Sequence, residues 1–231
     1  MPTLILVRHG RSTANTQGVL AGWTPGVALD ERGAAQAAAL PARLADVPLA
    51  AAVTSPLQRC LETVQPLLDA RPSLPLHTDE RVGECHYGDW SGRKLTDLAG
   101  EPLWEVVQRH PAAAAFPGGE SVRAMQARAV DAVREWNERI EGEYGQDAAY
   151  LVCTHGDLIK SLVADALGLH LDHFQRITAD PCSVTAIRYT RLRPYLLRLG
   201  DTGDLAGLVP AEPSREEAAA DAAVGGGAGA P

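Results

Sequence analysis

The chain has 231 residues and only four cysteines, Cys60, Cys85, Cys153 and Cys182. None stands in a CxxC pair and they are scattered, which argues against a disulfide framework and against a recurring zinc spacing. A reducing cytoplasm is therefore the expected setting. No long Lys/Arg run interrupts a net charge of −8, so neither nucleic acid nor an anionic membrane is the expected partner. No apolar run reaches the length of a membrane span, and no basic region with a cleavage site precedes the first apolar run. The 45% of residues that are hydrophobic suffice for a sizeable core, and the length suits one domain, or a domain with a tail. Abundant alanine, with 22 Gly and 16 Pro, fits a GC-rich bacterial genome.

What is present is organised around Leu4-Ile5-Leu6-Val7-Arg8-His9-Gly10. Four aliphatic residues predict a buried strand. Arg8-His9-Gly10 suits the carboxyl end of a parallel strand, where α/β sheets place their ligand crevice. There a histidine can act as nucleophile and an arginine fork can hold a phosphate dianion. Gly10 permits a sharp turn, and Ser12 and Asn15 offer neutral hydrogen bonds to phosphate oxygens. Taken alone, Arg8-His9-Gly10 reads equally well as a solvated strand end. Arg59, after Ser55-Pro56, stands in the first turn of a predicted helix, with Ser55 as N-cap and Pro56 at its first position. Free helix N–H groups would assist it with an anion; its bland alternative is a surface helix arginine. Glu84 lies in Glu84-Cys85-His86-Tyr87-Gly88-Asp89-Trp90, where aromatic surroundings can raise a carboxyl pKa and suit a general acid. Its alternative is one solvated loop carboxylate among many. A second His-Gly stands at His155-Gly156, after the apolar run Tyr150–Thr154. His77, His86, His110, His170 and His173 show no metal-ligand pattern; His170 and His173 would share a helical face but lack a third ligand.

In chain order, a Gly/Pro-rich loop from Thr16 to Leu29 is expected to lie over the site. A helix capped by Asp30 runs from Glu31 to about Ala45, kinked or restarted at Pro41. Strands are predicted over Leu49–Thr54 and Leu74–Thr78, with the helix between them ending at Pro72–Pro75. A helical lid is expected from Leu95 to His110. A long helix from Ser121 to about Glu141 has an apolar stripe through Met125, Ala129, Val133, Trp136 and Ile140. Strand Ala149–Thr154, helix Leu158–Leu167 and strands Val184–Tyr189 and Tyr195–Leu199 follow. Alternating strands and helices predict an α/β doubly wound, three-layer sandwich: a mostly parallel sheet, helices on both faces and a small helical lid. The domain is placed at residues 1–205. The acidic Ala/Gly/Pro-rich tail at 211–231 is expected to be disordered.

The motifs around Arg8-His9-Gly10, Arg59, Glu84 and His155, in that order and spacing, resemble the histidine phosphatase superfamily, the phosphoglycerate mutase-like proteins. The resemblance covers roughly Thr3 to Gly200. It implies that His9 is the nucleophile and becomes phosphohistidine. It implies that Arg8, Arg59 and His155 bind the phosphoryl oxygens, helped by Asn15, Ser12 and the Gly156 N–H. Glu84 would protonate the leaving oxygen and then activate water. No metal or cofactor is implied, because charge stabilisation and positioning by these groups carry the transfer.

Mutases of this superfamily are expected to carry extra basic residues after the acid and an arginine pair in the lid. Here Cys85 follows Glu84, and the lid has Arg109 without a partner arginine. Phe116-Pro117-Gly118-Gly119-Glu120-Ser121 looks like the phosphatase branches, such as α-ribazole phosphatases and broad-specificity acid phosphatases. The expectation is thus a metal-independent phosphatase acting on a small phosphorylated metabolite. The alternatives are a cofactor-dependent phosphoglycerate mutase and a catalytically silent phosphate-ligand binder. Arg93, Lys94 and Arg109 remain open as contacts to a second anionic group, and a homodimer is left open.

Overall fold

The computed structural model describes residues 2–203; the tail at 211–231 lies outside them. Six strands form one sheet: β1 (Thr3–Arg8), β2 (Leu49–Thr54), β3 (Leu76–Thr78), β4 (Ala149–Thr154), β5 (Val184–Tyr189) and β6 (Pro194–Asp201). Their order is β3-β2-β4-β1-β5-β6. The first four in that order are mutually parallel, while β5 and β6 run antiparallel at one side. The unbroken aliphatic run Leu4–Val7 of β1 suits a strand covered on both faces. Leu4 and Leu6 enter one core cluster, Ile5 and Val7 the other, as side chains alternating about a strand must.

Among the described residues seven α-helices accompany the sheet: α1 (Thr13–Thr16), α2 (Glu31–Arg43), α3 (Gln58–Ala70), α4 (Leu95–Leu98), α5 (Pro102–Arg109), α6 (Val122–Tyr144) and α7 (Gly156–Leu167). Leu40 of α2 and Val64 and Leu67 of α3 pack in the cluster with Ile5 and Val7. Met125, Val133 and Ile140 of α6 and Leu158 and Leu162 of α7 pack in the other. The three-layer α/β arrangement expected from the sequence is the one observed.

Several boundaries differ for physical reasons. Helix α2 runs through Pro41 without a break; the proline falls near its C-terminal end, where the lost N–H costs one bond. Helix α3 begins at Gln58, with Leu57 as N-cap and no side-chain cap bond. Ser55 is therefore not its cap: the Oγ accepts from Leu57 N at 3.3 Å and meets His155 Nε2 at 2.8 Å. The lid is two short helices rather than one, since Glu101 is extended (ψ 141°) before Pro102, as residues preceding proline tend to be. Helix α6 passes Gly142 and stops at Gly145, whose φ is +93°. Residues 171–176 form a 3-10 turn, in which His170 Nδ1 accepts from Asp172 N at 3.2 Å.

Candidate active site

The carboxyl ends of β1, β2 and β4 lie side by side, and each delivers a piece of the site. His9 N donates to Thr154 O at 2.9 Å and Ser55 N to Cys153 O at 3.0 Å, so the strand pairing continues into the turns. Arg8 ends β1, His9 follows it, Arg59 lies in the first turn of α3, and His155 is the N-cap of α7. Arg8, His9, Arg59, Glu84 and His155 are all buried. Gly10 permits a close approach: a Cβ there would stand 2.7 Å from Gly33 O at the start of α2. Its N–H donates to Thr63 Oγ1 at 2.9 Å, and that hydroxyl donates to Arg59 O at 2.6 Å.

The two histidines are neutral with opposite tautomers. His9 Nδ1 lies 2.7 Å from Gly10 O. A carbonyl only accepts, so the proton is on Nδ1 and the Nε2 lone pair is left for attack. His155 Nδ1 lies 3.2 Å from Arg59 Nη2. A guanidinium only donates, so here Nδ1 is the acceptor and Nε2 donates to Ser55 Oγ. Burial, then the charges of Arg59 and Arg8, hold His9 well below the ordinary imidazole range. Burial, Arg59 and His9 do the same for His155. The ring centroids are 5.3 Å apart.

Glu84 shows the opposite behaviour. Burial, reinforced by Asp157, raises its carboxyl to about 7. Its Oε1 accepts from Cys85 N at 2.9 Å, and its Oε2 lies 3.7 Å from His155 Nδ1. That spacing resembles an ion pair, but burial favours the neutral form of both groups. Desolvation lowers Arg8 to about 10, so it stays cationic at neutral pH; its Nη1 donates to Ala179 O at 2.8 Å. A neutral nucleophile, two guanidinium forks, a second imidazole and a neutral acid thus converge. They can stabilise and transfer a phosphoryl group.

The residues proposed as helpers divide. Ser12 and Asn15 form a capping box at α1: Asn15 Oδ1 accepts from Ser12 N (3.0 Å) and Oγ (2.8 Å). Ser12 is engaged in that box, and its contribution is to hold Asn15. Gly156 is the first residue of the twelve-residue helix α7, with its N–H at the positive end. Arg93 pairs with Glu101 at 2.7 Å and Arg109 with Glu105 at 3.2 Å, both on exposed surface. Lys94 joins no ion pair among the described residues. The four cysteines carry free, buried thiols.

Some contributors were not legible in sequence. Thr63 fixes the Gly10 turn, Ser55 accepts from His155 Nε2, and Trp23, from the loop after α1, donates to Glu84 O at 2.6 Å. The same loop supplies Gly22 O to Arg59 Nη2 at 3.0 Å. The only signal for these was proximity in sequence to a motif residue, which does not reveal a partner.

Comparison with known proteins agrees with this geometry. The profile of the histidine phosphatase superfamily (branch 1) matches residues 4–202. A 2,3-bisphosphoglycerate-dependent phosphoglycerate mutase 2 of Gloeobacter violaceus is 31% identical over 193 residues, 82% of this chain and 86% of that protein. The solved structure of YhfR from Bacillus stearothermophilus superposes with a TM-score of 0.80 at 32% identity, covering 87% of this chain and 98% of its own. A mycobacterial glucosyl-3-phosphoglycerate phosphatase superposes with a TM-score of 0.77 at 28% identity, covering 86% and 98%. This chain belongs to the histidine phosphatase superfamily, branch 1.

Proposed function

We propose that the protein is a metal-independent phosphatase that hydrolyses a small phosphomonoester through a phosphohistidine on His9. His9 Nε2 attacks phosphorus while Arg8, Arg59, His155, the Asn15 amide and the Gly156 N–H hold the non-bridging oxygens. Glu84 gives its proton to the departing ester oxygen as the P–O bond breaks. The resulting carboxylate then takes a proton from water, whose oxygen attacks phosphorus and releases His9 and inorganic phosphate.

One observation favours hydrolysis over mutase chemistry: among the described residues, neither arginine of the lid region is left free to grip a substrate carboxylate, and Lys94 alone lacks an ion-pair partner there. The residue after Glu84 is Cys85, a buried thiol that burial keeps protonated. Arg93 and Arg109 are committed to Glu101 and Glu105. The name of the mycobacterial structural neighbour supports the same reading. The Gloeobacter relative favours the second reading, a 2,3-bisphosphoglycerate-dependent mutase. Four free thiols agree with a cytoplasmic setting.

The test is a phosphomonoester panel in EDTA that includes 3-phosphoglycerate, with and without 2,3-bisphosphoglycerate. Release of inorganic phosphate without formation of 2-phosphoglycerate is expected. Bisphosphoglycerate-stimulated interconversion with little phosphate release would replace the phosphatase by the mutase.

A further inference from the structure

Phe116-Pro117-Gly118-Gly119-Glu120-Ser121 reads in the sequence only as a marker of a branch. In the structure it buttresses the loop that carries Glu84. Asp89 N donates to Pro117 O and Glu120 N to His86 O, each at 2.8 Å. A Cβ on Gly119 would stand 2.0 Å from His86 O, so only glycine allows this approach. The Glu120 carboxylate continues the contact, its Oε1 accepting from His86 N at 2.9 Å.

Arg128, on α6, completes the buttress with all five guanidinium N–H groups. Nε donates to Glu120 Oε2 at 3.0 Å and Nη2 to Glu120 Oε1 at 2.6 Å, a bidentate pair. The other three reach the main chain of the acid loop: Nη1 to Arg81 O (2.7 Å) and Gly83 O (2.9 Å), and Nη2 to Glu84 O (2.8 Å). Both side chains are largely withdrawn from solvent, Arg128 to 19% and Glu120 to 15% exposure. The loop itself has only two 3-10 turns, Glu80–Val82 and Gly88–Trp90. Among the described residues the Glu84 carboxyl accepts one hydrogen bond, from the next residue's N–H. Its aim is therefore set by the main chain, and the main chain by Arg128 and Glu120.

We propose that Arg128 and Glu120 are positioning residues for the general acid, fixing the backbone from Arg81 to His86 so that the Glu84 carboxyl meets the departing ester oxygen. The proposal rests on the phosphatase reading. It separates from a merely structural role through the leaving group. An alkoxide needs the Glu84 proton as the P–O bond breaks; p-nitrophenolate leaves as a stable anion.

The experiment compares β-glycerophosphate with p-nitrophenyl phosphate for wild type, Arg128→Lys, Glu120→Gln and Glu84→Gln. Misplacing the acid in Arg128→Lys should lower kcat/KM on the alkyl ester about tenfold or more, since kcat/KM reads the steps through loss of the leaving group and not the later hydrolysis of phosphohistidine. The kcat/KM of the p-nitrophenyl ester should stay within about twofold of wild type. Glu84→Gln should show the same asymmetry, reaching about a hundredfold on the alkyl ester. Equal losses on both esters in Arg128→Lys, or none on either, would overturn the proposal. If Arg128→Lys does not fold, as read by circular dichroism, Glu120→Gln carries the same comparison. If the wild type hydrolyses neither ester, the phosphatase reading fails separately. Hydrogen exchange at Cys85 and His86 N–H then decides: faster exchange in Glu120→Gln supports the positioning role and an unchanged rate overturns it.

Discussion

His9 and Glu84 occupy one desolvated pocket, and burial drives both toward neutrality from opposite sides. For the imidazole, neutrality is the nucleophilic form; for the carboxyl, it is the proton-donating form. With Glu84 raised to about 7, the acid form persists to neutral pH and is lost above it. The kcat/KM profile for an alkyl phosphomonoester should therefore fall on its alkaline side with a midpoint near the Glu84 value. Glu84→Gln should abolish that fall while lowering the plateau. An alkaline limb that survives Glu84→Gln, measured on the same ester, would assign it to another group. On the acidic side the depressed value of His9 keeps the nucleophile unprotonated well below the ordinary imidazole range.

At the scale of elements, the strand-end turn at Arg8-His9-Gly10 is held by α3 and α2 rather than by its own sequence. Thr63 Oγ1 is the acceptor for the buried Gly10 N–H. Thr63→Val removes that acceptor without changing side-chain volume much, and should cost about 1–3 kcal/mol in urea unfolding. Phosphatase activity should fall with it, whereas Thr63→Ser should restore both. Equal stability of the Val and Ser variants would show that the bond does not matter. The strands were legible because unbroken apolar runs such as Leu4–Val7 and Tyr150–Val152 have few other solutions. Arg8, His9 and His155 were legible as candidates because each stands at a strand end, whereas Arg59 and Glu84 stood out only through the order and spacing of the motifs around them. The Ser55 cap was misplaced, and the engagement of Ser12 with Asn15 was unforeseen, for a common reason. A hydroxyl near a helix start fits an N-cap or a ligand equally well until its partner is seen, and the partners were His155 and Asn15. Arg128 was invisible for the same reason: five of its bonds go to residues 8 to 47 positions away.

For the whole molecule, the site's electrostatics should appear in stability. His9 and His155 have folded values well below 6.5, so the unfolded chain binds protons first as pH falls through that value. Stability is then lost on acidification. Glu84 acts oppositely: its folded value exceeds the ordinary 4.5, so its burial weighs against the fold as pH rises from there through about 7. Thermal unfolding of His155→Gln should lose less between about pH 7 and pH 5 than that of wild type; an identical decrease would place the acid sensitivity elsewhere. No helix among the described residues is long and apolar enough to cross a membrane. The most direct test of the central claim is a rapid alkaline quench of the protein with ³²P-labelled phosphomonoester in EDTA, followed by peptide mapping. The account predicts base-stable, acid-labile label on His9, absent from His9→Ala and discharged to inorganic phosphate on a chase with unlabelled ester. Turnover that proceeds with no label on His9, or that persists in His9→Ala, would contradict it.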